Sequence, residues 1–310
     1  MKKILFIIGF LAACFVANAQ QELLLSQQFY SRINKNPAGT GNVEDIDLFL
    51  LGHYQYAGVE DAPKSLLFNG HTFINKINSG VGLTISYDNL GIARSFLDIK
   101  AVYSYMLRPA DNMLVSLGLG FGVRRSAFNK EAYTVDNIIE MYDGTIPDDE
   151  SKVRPDFDFG VEFAMNDNLL IGASMTHLLD SASTTMLQGR HLNIYGRYMF
   201  KINDKWDIAP SLTYMHHAKT NVVELNVTGY YDRFIWGGLT YHPDLSDKFG
   251  SNPLAITLGV EYFRFRLGYT IDLGLGKIHH MAGTSHELML SYSIDRKRTK
   301  SKSEDVEIFE

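Results

Sequence analysis

The 310-residue chain has one cysteine, Cys14, and it lies inside an N-terminal leader. The opening stretch "MKKILFIIGFLAACFVANAQ" has two lysines, an apolar run from Ile4 to Val16, and small residues at Ala17 and Ala19. That is the pattern of a secretory signal peptide cut after Ala19. Leu11 to Cys14 also fits a lipobox, which would instead make Cys14 a lipidated first residue. With the cut at Ala19 the mature chain has no thiol, which excludes disulfides, a thiolate nucleophile and cysteine-ligated metal. Positive charge is also scarce. The 29 Lys and Arg stand against 35 Asp and Glu, a net −6 that becomes −8 without Lys2 and Lys3. Clustered basic residues are what a nucleic-acid surface requires, so nucleic acid is excluded as a partner. After the leader no apolar run approaches the ~20 residues of a spanning helix.

Catalytic signatures are missing too. "GLGK", Gly274 to Lys277, lacks the earlier glycine of a phosphate loop and is followed by Ile278. No G-x-S-x-G elbow and no H-E-x-x-H pair occurs, so the chain is read as a non-enzyme without a cofactor. "SLGLGFGVRR", Ser116 to Arg125, suggests a dinucleotide loop at first sight. Its glycines, Gly118, Gly120 and Gly122, stand two apart, and Val123 occupies the place of a third loop glycine. Met113, Val115, Leu117, Leu119, Phe121 and Val123 alternate with small or polar residues, and period two is the period of a strand.

About fourteen such segments of roughly ten residues fit the ~9–11 residues of a tilted spanning strand. They begin near Asp45, Lys64, Gly80, Arg94, Asn112, Pro155, Asn168, His191, Lys205, Asn221, Phe234, Pro253, Arg264 and Ser285. Every second connection is short: "NKIN", "RPAD", "MNDN", "NDK", "YDR" and a tight turn at Phe263. The others include "SAFNKEAYTVDNIIEMYDGTIPDDESKVR", "DSASTTMLQGR", "PDLSDKFGSN" and "LGLGKIHHMAGT". Short turns at one end and long loops at the other are the habit of an outer-membrane β-barrel. The predicted fold is therefore all-β, a transmembrane antiparallel barrel of about 14 strands in the outer membrane of a Gram-negative bacterium, facing outer-membrane lipid. The chain divides into a leader (1–19), a periplasmic segment or plug (20–44), the barrel (45–294) and a charged tail (295–310).

One face of the strands collects charge. Asp98, Lys100, Arg124, Asp156, Asp158, Glu162, Glu224, Glu261, Arg264 and Arg266 share the inward parity and are expected to form a polar network in the lumen. His216–His217 and His279–His280, with His286, are candidate metal ligands. Adjacent residues of a strand face opposite ways, so no metal site is expected. "PDDE", Pro147 to Glu150, lacks the spacing of a calcium loop. An arginine at Leu119 should be costly on the lipid face, and one at Ser116 milder on the lumen face. Architecture alone leaves a passive channel or hydrophobic-solute transporter open.

"SQQFYSRINKNPAGTG" near the start and "GTSHELMLSYSI" at the last strand resemble the PorP/SprF family of type IX secretion system outer-membrane proteins. The stretches "YQYAGVEDAPKSLLFNGHT", "SGVGLTISYDNLGI", "RPDFDFGVEF" and "WDIAPSLTYMH" continue the resemblance in order. Asn36, Pro37, Ala38 and Gly39 match the N-terminal motif, and Ser285, His286 and Glu287 match the motif that opens the final strand. Ala38 runs directly into Gly39 where members usually carry a tyrosine between them. Gly58 to Pro63 lacks the family's glycine after the aspartate, and the charged tail is also unlike members that stop at the last strand. The resemblance implies an outer-membrane barrel without catalysis. The partners it implies are periplasmic ring components of the secretion system and secreted cargo with a C-terminal signal domain, and the seven motif residues are candidate partner contacts.

Overall fold

A computed structural model describes residues 25–43, 45–91, 93–129, 150–179, 189–217, 220–243, 253–274 and 283–295. Three 3-10 turns, Gln28–Tyr30, Arg32–Asn34 and Pro37–Gly39, precede the strands. The strands are β1 (Ile46–Tyr54), β2 (Lys64–Ile74), β3 (Ser79–Asn89), β4 (Arg94–Ala110), β5 (Met113–Phe128), β6 (Glu150–Met165), β7 (Leu169–Thr176) and β8 (His191–Tyr198). They continue with β9 (Phe200–Lys201), β10 (Trp206–His217), β11 (Thr220–Tyr231), β12 (Ile235–Tyr241), β13 (Pro253–Tyr262), β14 (Phe265–Gly274) and β15 (Ser285–Ile294).

Apart from β8 and β9, which do not pair with each other, each strand pairs antiparallel with its sequence neighbours, and β1 pairs with β15, Ile46 opposite Ile294 and Tyr54 opposite His286. The pairing of β10 with β11 completes the ring, leaving no free edge. β8 and β9 meet β10 in one continuous register, Ser211 opposite Arg197 and Ile208 opposite Phe200, so they are one stave and the barrel has fourteen. Pro210 explains the interruption. Trp206 points its carbonyl at Ile202, on the β9 side, and residues two apart on a strand point the same way. Pro210 therefore faces Tyr198 without an N–H to donate, and the ladder breaks at Met199.

The strand starts expected from the pattern lie within a residue of those observed, with one exception. β6 begins at Glu150, five residues before Pro155. Phe157 accepts from the Leu178 N–H on the β7 side, so Pro155 also turns its missing donor that way. Among the described residues no strand lies there, because the β6–β7 ladder starts only at Phe159 and Met175. A proline is tolerated where no ladder bond is lost. Of the connections, 130–149, 180–188, 244–252 and 275–282 lie outside the described residues, and with them most of "PDDE", Gly276, Lys277, His279 and His280.

Facing follows the alternation. Leu119 is 57% exposed and Phe121 56%, while Ser116, earlier on the same strand and of opposite parity, is 2% exposed. Tyr198, Phe200, Trp206, Tyr231, Phe234, Tyr262 and Phe265 are exposed at the short-turn end, the place of an interfacial aromatic girdle. Among the described residues no helix is long and apolar enough to cross a membrane.

Candidate functional site

The lumen is filled from within by the segment before β1. Its first residues join the apolar wall: Leu25 packs in a cluster with Phe49, Leu51, Leu67, Trp236 and Met289, and the Tyr30 ring lies 4.9 Å from that of Trp236. The rest of the segment is held by polar wall side chains that grip its backbone. Glu287 accepts from the Ser26 N–H (3.1 Å) and the Gln27 N–H (2.8 Å). Ser174 donates to the Lys35 carbonyl, Ser104 donates to the Thr40 carbonyl, and His71 Nδ1 accepts from the Gly41 N–H at 2.9 Å. Asn69 donates to Ser31 Oγ at 2.6 Å, and Arg32 donates to Glu162 at 2.8 Å. Buried peptide groups need such partners, since each one left unmade costs about 1–3 kcal/mol.

Asn36-Pro37 forms the tightest part of the segment. Pro37 fixes its own φ and sets the first position of the Pro37–Gly39 turn, while Asn36 stays extended at φ −140° and ψ 109°. The Asn36 side chain accepts from the Ala38 N–H (2.9 Å) and donates to the Val161 carbonyl (3.0 Å) and to Tyr195 Oη (3.1 Å). Tyr195 in turn donates to Glu162, which joins the asparagine to the Arg32 ion pair. The wall makes room with two glycines directly opposite each other, Gly118 on β5 and Gly160 on β6. A Cβ at Gly118 would overlap the Ala38 nitrogen, and one at Gly160 would overlap Asn36 Oδ1. Of the alternating glycines of "SLGLGFGVRR", Gly118 thus forms with Gly160 the dent that receives this turn, while Gly120 and Gly122 lie against Asp158 and Ile99 of the wall itself.

Charge gathers nearer the long-loop end. Arg124 makes a forked pair with Asp98 (2.5 and 2.8 Å), and Lys100 sits between Asp156 (2.8 Å) and Asp158 (2.7 Å). His177, just past β7, joins the two pairs: its Nδ1 lies 2.6 Å from Asp156 and its Nε2 2.9 Å from Arg124. Asp98, Asp156 and His177 bring three donor atoms within metal-binding reach of one another. Arg124 and Lys100 already supply the positive charge that a metal would bring. The ring of His191 lies 4.7 Å from that of His177 and 3.8 Å from that of His217.

The other expected residues separate. Glu162 turns to Arg32 of the inner segment, Glu224 Oε2 lies 3.0 Å from His242 Nε2, and Glu261 pairs with Arg266 across β13 and β14 at 3.0 Å. Arg264 is not in the lumen network: it belongs to the short turn after β13 and pairs with Asp295, because the tight turn at Phe263 breaks the alternation. His216 and His217 do diverge, His216 to Asn221 and His217 into the buried interior. Asn36, Pro37, Ala38 and Gly39 are buried in the lumen and present no surface to another protein. Ser285 accepts from the Tyr56 N–H and so ties down the first loop, while His286 bonds Tyr269 and Thr284 near the outer rim. Arg32, Tyr195, His177 and His191 were not singled out by the sequence. Tyr195 and His191, four residues apart on β8, share its inward parity, and that parity is the trace the sequence offered.

The family model described as "Type IX secretion system membrane protein PorP/SprF" matches residues 17–292. No curated protein matches the chain in sequence. Among solved structures, the CymD monoaromatic hydrocarbon channel is 9% identical with a TM-score of 0.54, covering 91% of this chain and 96% of that one. The Ralstonia pickettii toluene transporter TbuX is 9% identical with a TM-score of 0.50, covering 85% and 93%. At such identity these likenesses concern the barrel fold alone. The ordered match over nearly the whole chain is of another kind, and by it this barrel belongs to the PorP/SprF family of type IX secretion system membrane proteins.

Proposed function

We propose that this protein is a non-catalytic, internally plugged barrel of the outer membrane of a Gram-negative bacterium. In this reading it aids secretion or surface attachment of a specific adhesin-like cargo carrying a C-terminal signal domain, and links that cargo to periplasmic ring components. The observation that carries the reading is the filled lumen. Thr40 and Asn36 are fully buried where a channel would have its water path. A barrel whose interior is occupied by its own chain works through its ends and its outer wall rather than as a conduit. The test is deletion of the gene, with mass spectrometry of released proteins and of proteins shaved from the cell surface. Loss of one or a few large adhesins with general export intact supports the reading. Unchanged fractions, together with conductance of the purified protein in a planar bilayer, would favour a channel.

A further inference from the structure

The closing seam of the barrel gathers two carboxylates that, among the described residues, meet a histidine rather than a lysine or arginine. His53 on β1, Glu287 on β15 and Asp272 on β14 lie side by side on the lumen face. His53 is directly opposite Glu287, and Asp272 is opposite Ser285, two residues before it. Among the described residues neither carboxylate is paired with a lysine or arginine. His53 is 6% exposed, and its Nε2 makes no hydrogen bond but stands 3.9 Å from Asp272 Oδ2. Asp272 Oδ1 and Ser26 Oγ are likewise buried without a hydrogen bond. Buried carboxylates of one sign need a compensating charge, and the cluster on β4–β6 has one in Lys100 and Arg124.

We propose that His53 and Asp272 bind a divalent transition-metal ion, of the zinc class, at this seam. An imidazole nitrogen with a carboxylate oxygen is a donor set for zinc rather than for calcium, which takes oxygen alone. Bonds of about 2.0–2.1 Å in a tetrahedral site separate two ligand atoms by about 3.4 Å. The 3.9 Å gap therefore closes with a side-chain adjustment of roughly half an ångström. Glu287 spends one lone pair of each oxygen on the Ser26 and Gln27 N–H groups, and a carboxylate has about four acceptor positions. The remaining coordination positions beside His53 and Asp272 are taken by water. A cation there joins β14 to β1 across β15. This role is independent of the secretion reading.

The test uses the full chain purified in detergent, stripped with EDTA and titrated with Zn²⁺, with retained metal counted by mass spectrometry after desalting. The expected result is one equivalent bound, with affinity falling tenfold or more in His53→Ala and in Asp272→Asn while His217→Ala binds as the wild type does. Heat-modifiable gel mobility checks that each variant is a folded barrel. If Asp272→Asn does not fold, His53→Gln supplies the comparison. Absence of zinc uptake by the wild type, uptake unchanged in the folded His53 variants, or loss in His217→Ala instead would each overturn the site.

Discussion

Asn36→Ala isolates the link between the N-terminal motif and the plug. The asparagine is fully buried; it accepts from the Ala38 N–H, and its two shortest donated bonds go to Val161 O and Tyr195 Oη, with a longer one of 3.5 Å to Ala173 O. Alanine leaves the Ala38 N–H buried without an acceptor, at about 1–3 kcal/mol, and forfeits two further bonds at about 0.5–1.5 kcal/mol each. Tyr195 keeps its bond to Glu162, so the lower half of that sum, about 3 kcal/mol, is the working figure. At 1.4 kcal/mol per decade the undocked plug becomes roughly 150 times more populated. Trypsin reads this directly. Arg32 and Lys35 lie within the docked segment, so cleavage after them, followed by mass spectrometry, rises with undocking, and conductance in a planar bilayer rises with it. Gly160→Ala should act the same way from the wall side, since its Cβ meets Asn36 Oδ1. Gly196→Ala should not, because its nearest neighbour is the Leu170 carbonyl at 4.0 Å. An Asn36→Ala protein as silent and as trypsin-resistant as the wild type would refute the claim that this motif holds the plug.

Leu119→Arg should cost roughly 2–4 kcal/mol in lipid-reconstituted unfolding if the residue lies near the bilayer midplane, without opening the plug to trypsin. Ser116→Arg, milder by the sequence pattern alone, is instead expected to be severe, because Ser116 is 2% exposed in a filled lumen, and its signature is plug cleavage. Asp98→Ala leaves the buried Arg124 guanidinium without its carboxylate and should destabilise by about 3–5 kcal/mol, with Asp98→Ala/Arg124→Leu recovering part of the loss in chemical denaturation. Glu287→Ala frees the Ser26 and Gln27 amides. Hydrogen exchange should therefore accelerate at residues 26–27 while the Asn36–Thr40 turn stays protected.

The barrel was legible because two-residue alternation survives wherever one face meets lipid and the other meets polar packing. The strand starts at Lys64, Arg94, His191, Pro253 and Ser285 follow from it without further information. Pro155 misled because a proline reads as a strand start, and only the absence of a β7 partner beyond Phe159 lets the strand continue through it. Inward parity likewise placed Asp98, Lys100, Arg124, Asp156 and Asp158 together, while Arg264 escaped because a turn residue has no parity. What the pattern could not supply is the inner segment's path. Its residues carry no period, and contacts such as Ser174 to the Lys35 carbonyl are made to peptide groups, which every residue possesses. Recognition of backbone leaves almost no mark on the sequence of the segment recognised.

That asymmetry gives the two motifs a common physical basis. Asn36 to Gly39 stands before the first strand and Ser285 to Glu287 opens the last, some 250 residues later in the chain, yet both are parts of one docking arrangement. Glu287 holds the segment at Ser26 and Gln27, and the Gly118–Gly160 dent holds it at Asn36 and Ala38. Because β1 closes on β15, the segment that leads into β1 is anchored by the strand that completes the barrel. Docking of Ser26 and Gln27 on Glu287 thus requires the lumen face that β15 completes, which couples occupancy of the lumen to closure of the wall. A motif residue in either place thus holds its own part of one docked segment, Glu287 the start and Asn36 to Gly39 the turn, and the buried Asn36 to Gly39 offer no surface to a partner while the plug is in place.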